Sequence, residues 1–93
     1  MALLIDRLVR PGLLPVATLV SRLSRDPARL LRLPGGGLGV GAPADLTLID
    51  PEAVVRIDPA MFKSKSRNTP FAGWTATGRP WKTIVAGKVV WES

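Results

Sequence analysis

The run Ser64-Lys65-Ser66-Arg67-Asn68-Thr69-Pro70-Phe71-Ala72-Gly73 concentrates hydroxyl, amine, guanidinium and amide groups in one stretch. Three kinds of chemistry are open to it. A lysine beside a serine is the pair used by Ser-Lys hydrolases, provided the amine is buried so that it can accept a proton. Lys63, Ser64, Lys65, Ser66 and Arg67 together could hold a phosphate or a carboxylate through charge-assisted hydrogen bonds. The third possibility is structural, with short polar side chains bonding the backbone of a loop. The run has no hydrophobic period, a Pro, a Gly and one large apolar anchor, Phe71. Such a loop is wet, whereas the Ser-Lys base needs a buried lysine. A solvated, self-tied loop is expected.

The acids are Asp6, Asp26, Asp45, Asp50, Glu52, Asp58 and Glu92. Asp50 and Glu52 are near enough for an acid pair of the glycosidase kind, yet both adjoin Pro51, where turn formation explains them. Asp26 precedes Pro27, which fits an N-cap at a helix start. Asp45 and Asp58 fall at strand ends or before Pro, again turn positions. There is no His and no Cys, which excludes a disulfide, a thiolate zinc site and a histidine metal site. No Walker-type phosphate loop is present. Gly39-x-Gly41-x-x-Ala44 matches the dinucleotide fingerprint only formally, because a helix precedes it and a strand follows. No catalytic, cofactor-binding or metal-ligating residue is assigned in this chain.

The net charge is +6 over 93 residues. The cations are spread out, with only Lys63, Lys65 and Arg67 tightly grouped, so nucleic acid is not an expected partner. Met1 to Arg10 is apolar but short and carries Asp6 and Arg7, unlike a signal peptide. No run approaches the roughly 18 apolar residues of a membrane span. A cytoplasmic protein with no membrane partner is expected.

The elements that must position these groups read as helices first and strands after, an α+β pattern. Residues 2–10 predict a helix stopped by Pro11-Gly12. Its apolar residues cover most of the circumference, so it should be buried on more than one side. A second helix is predicted over 15–23, with Pro15 at its first position and Val16, Leu19, Val20 and Leu23 in one stripe. Asp26-Pro27 should break and restart it. That break puts Arg22 and Arg25 on one segment and Arg29 and Arg32 on the next, so that they form no single basic face.

Leu33 to Gly37 ends the helical part. Strands are expected over 45–50 and 54–57, separated by a turn at Pro51-Glu52, and Asp58-Pro59 begins a helical turn through Met61 and Phe62. After the 64–73 loop, a strand over 74–77 should be interrupted at Arg79-Pro80, at an edge or a bend. Thr83-Ile84-Val85 and Val89-Val90-Trp91 flank Ala86-Gly87-Lys88, a hairpin signal.

The loop also carries a resemblance. Ser64-Lys65-Ser66-Arg67-Asn68-Thr69-Pro70-Phe71-x-Gly73 resembles the late motif of the dihydroorotases, in the branch related to allantoinases and hydantoinases. Asp26-Pro27-Ala28-Arg29-Leu30-Leu31-x-Leu33-Pro34 is similar to the helix that follows the last barrel strand of that family, with Asp26 where Asn is usual. Leu38 to Asp50 resembles the return strand into the family's small β domain, and Thr83 to Trp91 its terminal hairpin. Order and spacing are kept from about Leu13 to Glu92.

The resemblance implies a metal-dependent (β/α)8 barrel enzyme with a small β domain built from both chain ends. Residues 1–34 would be terminal barrel helices, and 35–93 the C-terminal portion of the small β domain. The family interconverts N-carbamoyl-L-aspartate and dihydroorotate, commonly with zinc activating a water. Its ligands are a His-x-His pair, a carbamylated Lys, two further His and a late Asp, and none falls on a position of this sequence. A whole barrel needs about 250 residues. The chain is therefore expected to be a C-terminal part, inactive alone, with the remaining barrel or an aspartate transcarbamoylase as partner. A non-catalytic assembly module, or half of a split amidohydrolase, is the alternative. Pro80-Trp81 departs from the family, which usually continues an apolar strand there.

Overall fold

The computed structural model describes residues 1–93. The first helix is α-helical over Ala2–Leu4 and π-helical over Ile5–Val9, and Gly12 at φ +80° helps turn the chain away. In the second, Val16–Val20, a π-helical Ser21–Arg25 and Asp26–Leu30 follow one another without a break. Pro15 stands just before it as an extended N-cap at ψ 150°.

The expected break at Asp26-Pro27 is absent. Arg25 and Asp26 both hold right-handed helical angles, and the Asp26 N–H reaches back five residues to the Ser21 carbonyl. This wide turn relieves the clash between the Pro27 ring and the preceding turn that ordinarily stops a helix. Asp26 consequently is not an N-cap. Its carboxylate accepts from Ser21 Oγ at 3.2 Å and from Arg22 Nη1 at 3.2 Å, both in the preceding turn. The helix ends at Arg32, a left-handed residue at φ 53°, where Leu33 N–H closes on the Ala28 carbonyl at 2.8 Å.

Three antiparallel strands, β1 (Leu46–Arg56), β2 (Thr75–Val85) and β3 (Lys88–Glu92), form one sheet in that order. Two further expectations are corrected here. Pro51-Glu52 does not separate two strands: β1 runs through it, pairing Asp50 with Arg79 and Val54 with Thr77, so that residues 51–53 bulge opposite Gly78. Asp50 Oδ1 holds the bulge by accepting from Glu52 N at 3.0 Å and Ala53 N at 3.1 Å, and a bulge tolerates a proline because it needs no ladder donor there.

Arg79-Pro80 does not interrupt β2 either. Pro80 pairs with Ile49 and Lys82 with Leu48, leaving Trp81 as an extra residue. Pro80 thus sits in the middle strand, but beside a bulge and beyond the end of β3, whose last pair is Lys82 with Glu92.

The hairpin is as expected. Ala86 (φ 49°) and Gly87 (φ 76°) form a two-residue turn with both central residues left-handed, the twist-matched geometry for linked strands. Alanine is a costly choice at that position. The turn is fastened from outside, because Ala86 N donates to Asp45 Oδ1 at 2.8 Å and Gly87 N to the Ala44 carbonyl at 3.1 Å.

The core is small. Ile5, Leu19 and Ala76 are its buried apolar side chains. Ile5 rests on Gly78: a Cβ there would lie 2.7 Å from Ile5 Cγ2, and Gly78 has φ +105°. Beside this contact, Asp6 Oδ1 accepts from the Thr77 N–H at 2.9 Å. The second helix contributes only Leu19 to the core. The radius of gyration is accordingly 14.6 Å, against about 12 Å for a compact domain of this length.

Gly78→Ala should destabilise the fold by about 2–4 kcal/mol in urea denaturation, through overpacking and a left-handed alanine together. Shrinking Ile5 to Ala in that background should recover part of the loss, a coupling that two independent sites would not show. Ala86→Gly should add about 1 kcal/mol by relieving the strained turn.

Candidate functional site

The 64–73 loop is held by its own polar groups and by one arginine. Asp58 Oδ1 accepts from Ala60 N at 2.9 Å and starts the short 3-10 helix Pro59–Met61, as the sequence leads one to expect. That turn leaves carbonyls without helical partners. Arg67 takes those of Ala60, at 3.2 Å, and Phe62 through Nη1, which also lies 2.8 Å from the Pro59 carbonyl already bonded to Phe62 N–H. Ser64 Oγ donates to the Ser66 carbonyl at 2.8 Å, Asn68 N to Ser66 Oγ at 3.3 Å, and Phe71 N to Thr69 Oγ1 at 3.2 Å.

The loop closes where β1 and β2 meet. Ile57 N donates to the Trp74 carbonyl and Gly73 N to the Ile57 carbonyl, both at 2.8 Å. Phe71 anchors the loop edge-on to Trp74, with centroids 5.2 Å apart. Arg7 of the first helix lies over the other partner in that pair, 5.3 Å from the Trp74 centroid.

This geometry bears on the chemical readings. Ser64 and Lys65 are both exposed, and Ser64 spends its proton on a backbone carbonyl, so no serine nucleophile with a buried amine base is assembled. Arg67 commits Nη1 to the loop's own carbonyls. The role of Arg67 was not legible in the sequence, since nothing local marks the carbonyls of 59–62 as its targets. The loop's hydrogen bonds are those of the self-tied, structural reading.

Nor do the acids form a dyad. Asp50 is bonded to the bulge backbone, and Glu52 Oε2 pairs with Arg10 Nη1 at 3.2 Å. Asp45 holds the hairpin turn, Asp6 the edge of β2, and Glu92 pairs with Lys82 at 3.1 Å. No three acidic side chains gather into a group able to hold a metal ion. No helix is long and apolar enough to cross a membrane.

Comparison with known proteins places this geometry. Residues 3–91 match the model of the Amidohydrolase family. A dihydroorotase from Halalkalibacterium halodurans is 54% identical over 90 residues, covering 97% of this chain and 21% of the relative. A dihydroorotase from Shouchella clausii is 51% identical over the same 97% and 21%. Among solved structures, an L-hydantoinase (dihydropyrimidinase) from Arthrobacter aurescens superposes with a TM-score of 0.91 at 33% identity, over 99% of this chain and 21% of that one. The chain therefore spans about a fifth of the length of the relatives it matches.

Replacing Arg67 by Met should loosen the loop by on the order of 1 kcal/mol, the scale of a charged donor on exposed carbonyls. Faster amide exchange across residues 59–73 would report it. Lys65→Ala should leave those rates unchanged.

Proposed function

The chain belongs to the amidohydrolase family, and from that premise we propose that it is the C-terminal part of a dihydroorotase, acting in the reversible cyclisation of N-carbamoyl-L-aspartate to dihydroorotate. The observation that carries this reading is the 54% identity to a dihydroorotase along nearly the whole of the chain. Within that span the Ser64–Gly73 run has a built geometry, with Arg67 drawing in three carbonyls.

In this reading the chain supplies scaffold and the chemistry is done elsewhere. Zinc, which the family resemblance implies, does not fit the residues present: there is no His or Cys, and the carboxylates are dispersed and mostly engaged. The ligands would come from the part of the enzyme that these residues do not include. The exposed apolar side chains support the same division. Val16, Val20 and Leu23 are 51%, 45% and 46% exposed on one helix, an area that a barrel would cover and that water covers at a cost. On its own the chain is inactive and works in the cytoplasm joined to, or assembled with, a metal-bearing barrel. An aspartate transcarbamoylase is a further partner that the family resemblance implies.

A second reading keeps the same exposed faces as evidence: the chain is a non-catalytic assembly module or one half of a split amidohydrolase. It requires a companion polypeptide with the missing histidines. Pull-down from source cells separates the two, because a separate histidine-bearing partner favours the split form.

Two measurements test the main proposal. The purified chain with dihydroorotate and zinc should turn over no faster than a metal blank. A chimera in which residues 3–91 replace the matching segment of the Halalkalibacterium halodurans dihydroorotase should keep activity within about tenfold, since a barrel site tolerates changes in its supporting scaffold. A folded, zinc-loaded but inactive chimera would sink the dihydroorotase assignment.

A further inference from the structure

We propose that the polar side of the second helix is a docking surface for an acidic segment of another protein, gripped by Arg25 and Arg29 with Arg22, paired to Asp26, beside them. Because the helix runs unbroken through Asp26-Pro27, these three arginines follow one another at helical spacing on one side. The same side carries a shallow depression lined by Ala17, Thr18, Ser21, Arg22, Arg25 and Asp26. The surface goes beyond the enzymatic reading, and it stands whether or not a barrel covers the apolar side.

The charges are unbalanced in a way a solvated helix face ordinarily is not. Such faces mix Glu and Lys in i, i+4 pairs. Residues 16–33 contain no Glu and no Lys, and their single acid is Asp26. That carboxylate is already committed to Ser21 and Arg22. Arg25 and Arg29 are exposed and make none of the ion pairs in the structure. Arginine is the cation suited to this task, since its planar fork takes a carboxylate with two parallel hydrogen bonds.

The surroundings favour an acidic protein over nucleic acid. No aromatic side chain occurs between residues 16 and 33 for a base to stack on. Leu30, at 83% exposure, leaves apolar surface on the same helix. A basic centre beside apolar surface suits a carboxylate-bearing segment with apolar residues of its own.

The test uses poly-L-glutamate as the probe and compares two charge reversals of equal size. Arg25→Glu/Arg29→Glu should weaken binding about tenfold or more at physiological ionic strength, while Lys63→Glu/Lys65→Glu should change it less than about threefold. Arg25→Lys/Arg29→Lys, which keeps charge and discards the fork, should fall between them. If Arg25→Glu/Arg29→Glu loses helicity by circular dichroism, Arg25→Gln/Arg29→Gln carries the same expectation at smaller amplitude. Equal weakening by both reversals would show unspecific attraction to a cationic chain and overturn the proposal. So would tighter binding of a DNA duplex through the same arginines.

Discussion

Ile5 seated on Gly78 is the contact on which the rest of the structure depends. It needs a residue without a Cβ on β2, and Gly78, opposite the 51–53 bulge and left-handed, is that residue. The neighbours of Ile5 extend the joint in two directions. Asp6 accepts the Thr77 N–H beyond the end of β3, where no strand is available to take it. Arg7 lies on Trp74 and through it reaches the Phe71 anchor of the 64–73 loop. Three consecutive residues thus tie helix, sheet edge and loop together by an apolar knob, a hydrogen bond and a cation–π contact.

What was legible in the sequence was local. The first helix, the Asp58 cap and the Ala86-Gly87 turn each announce themselves within a few residues, and the structure contains them. Three prolines misled for a common reason. Pro27, Pro51 and Pro80 each forbid a regular continuation, but a π turn in the first case and bulges beside or at the other two let the element continue. A bulge depends on the partner strand as well as on the residue, and a single sequence does not display pairing. The Ile5–Gly78 contact and the Arg67 clamp are non-local in the same way.

The functional picture follows from how little is buried. Ile5, Leu19 and Ala76 make a small core for 93 residues. The acids and the loop arginine are spent on holding turns, bulges and edges. Asp6, Asp45, Asp50 and Asp58 each accept from a backbone N–H. A supporting part of an amidohydrolase is what such a distribution suits.

The bulges have a last consequence, for what the molecule avoids. Each strand carries one: residues 51–53 in β1, Trp81 in β2 and Val90 in β3, which lies between the pairs Val89–Ile84 and Trp91–Thr83. β3 is an outer strand with Val89, Val90 and Trp91 exposed, and a flat strand of that composition would template another sheet. A kink at Val90 denies an incoming strand a continuous row of donors and acceptors. That makes the outer edge a poorer template for a further strand.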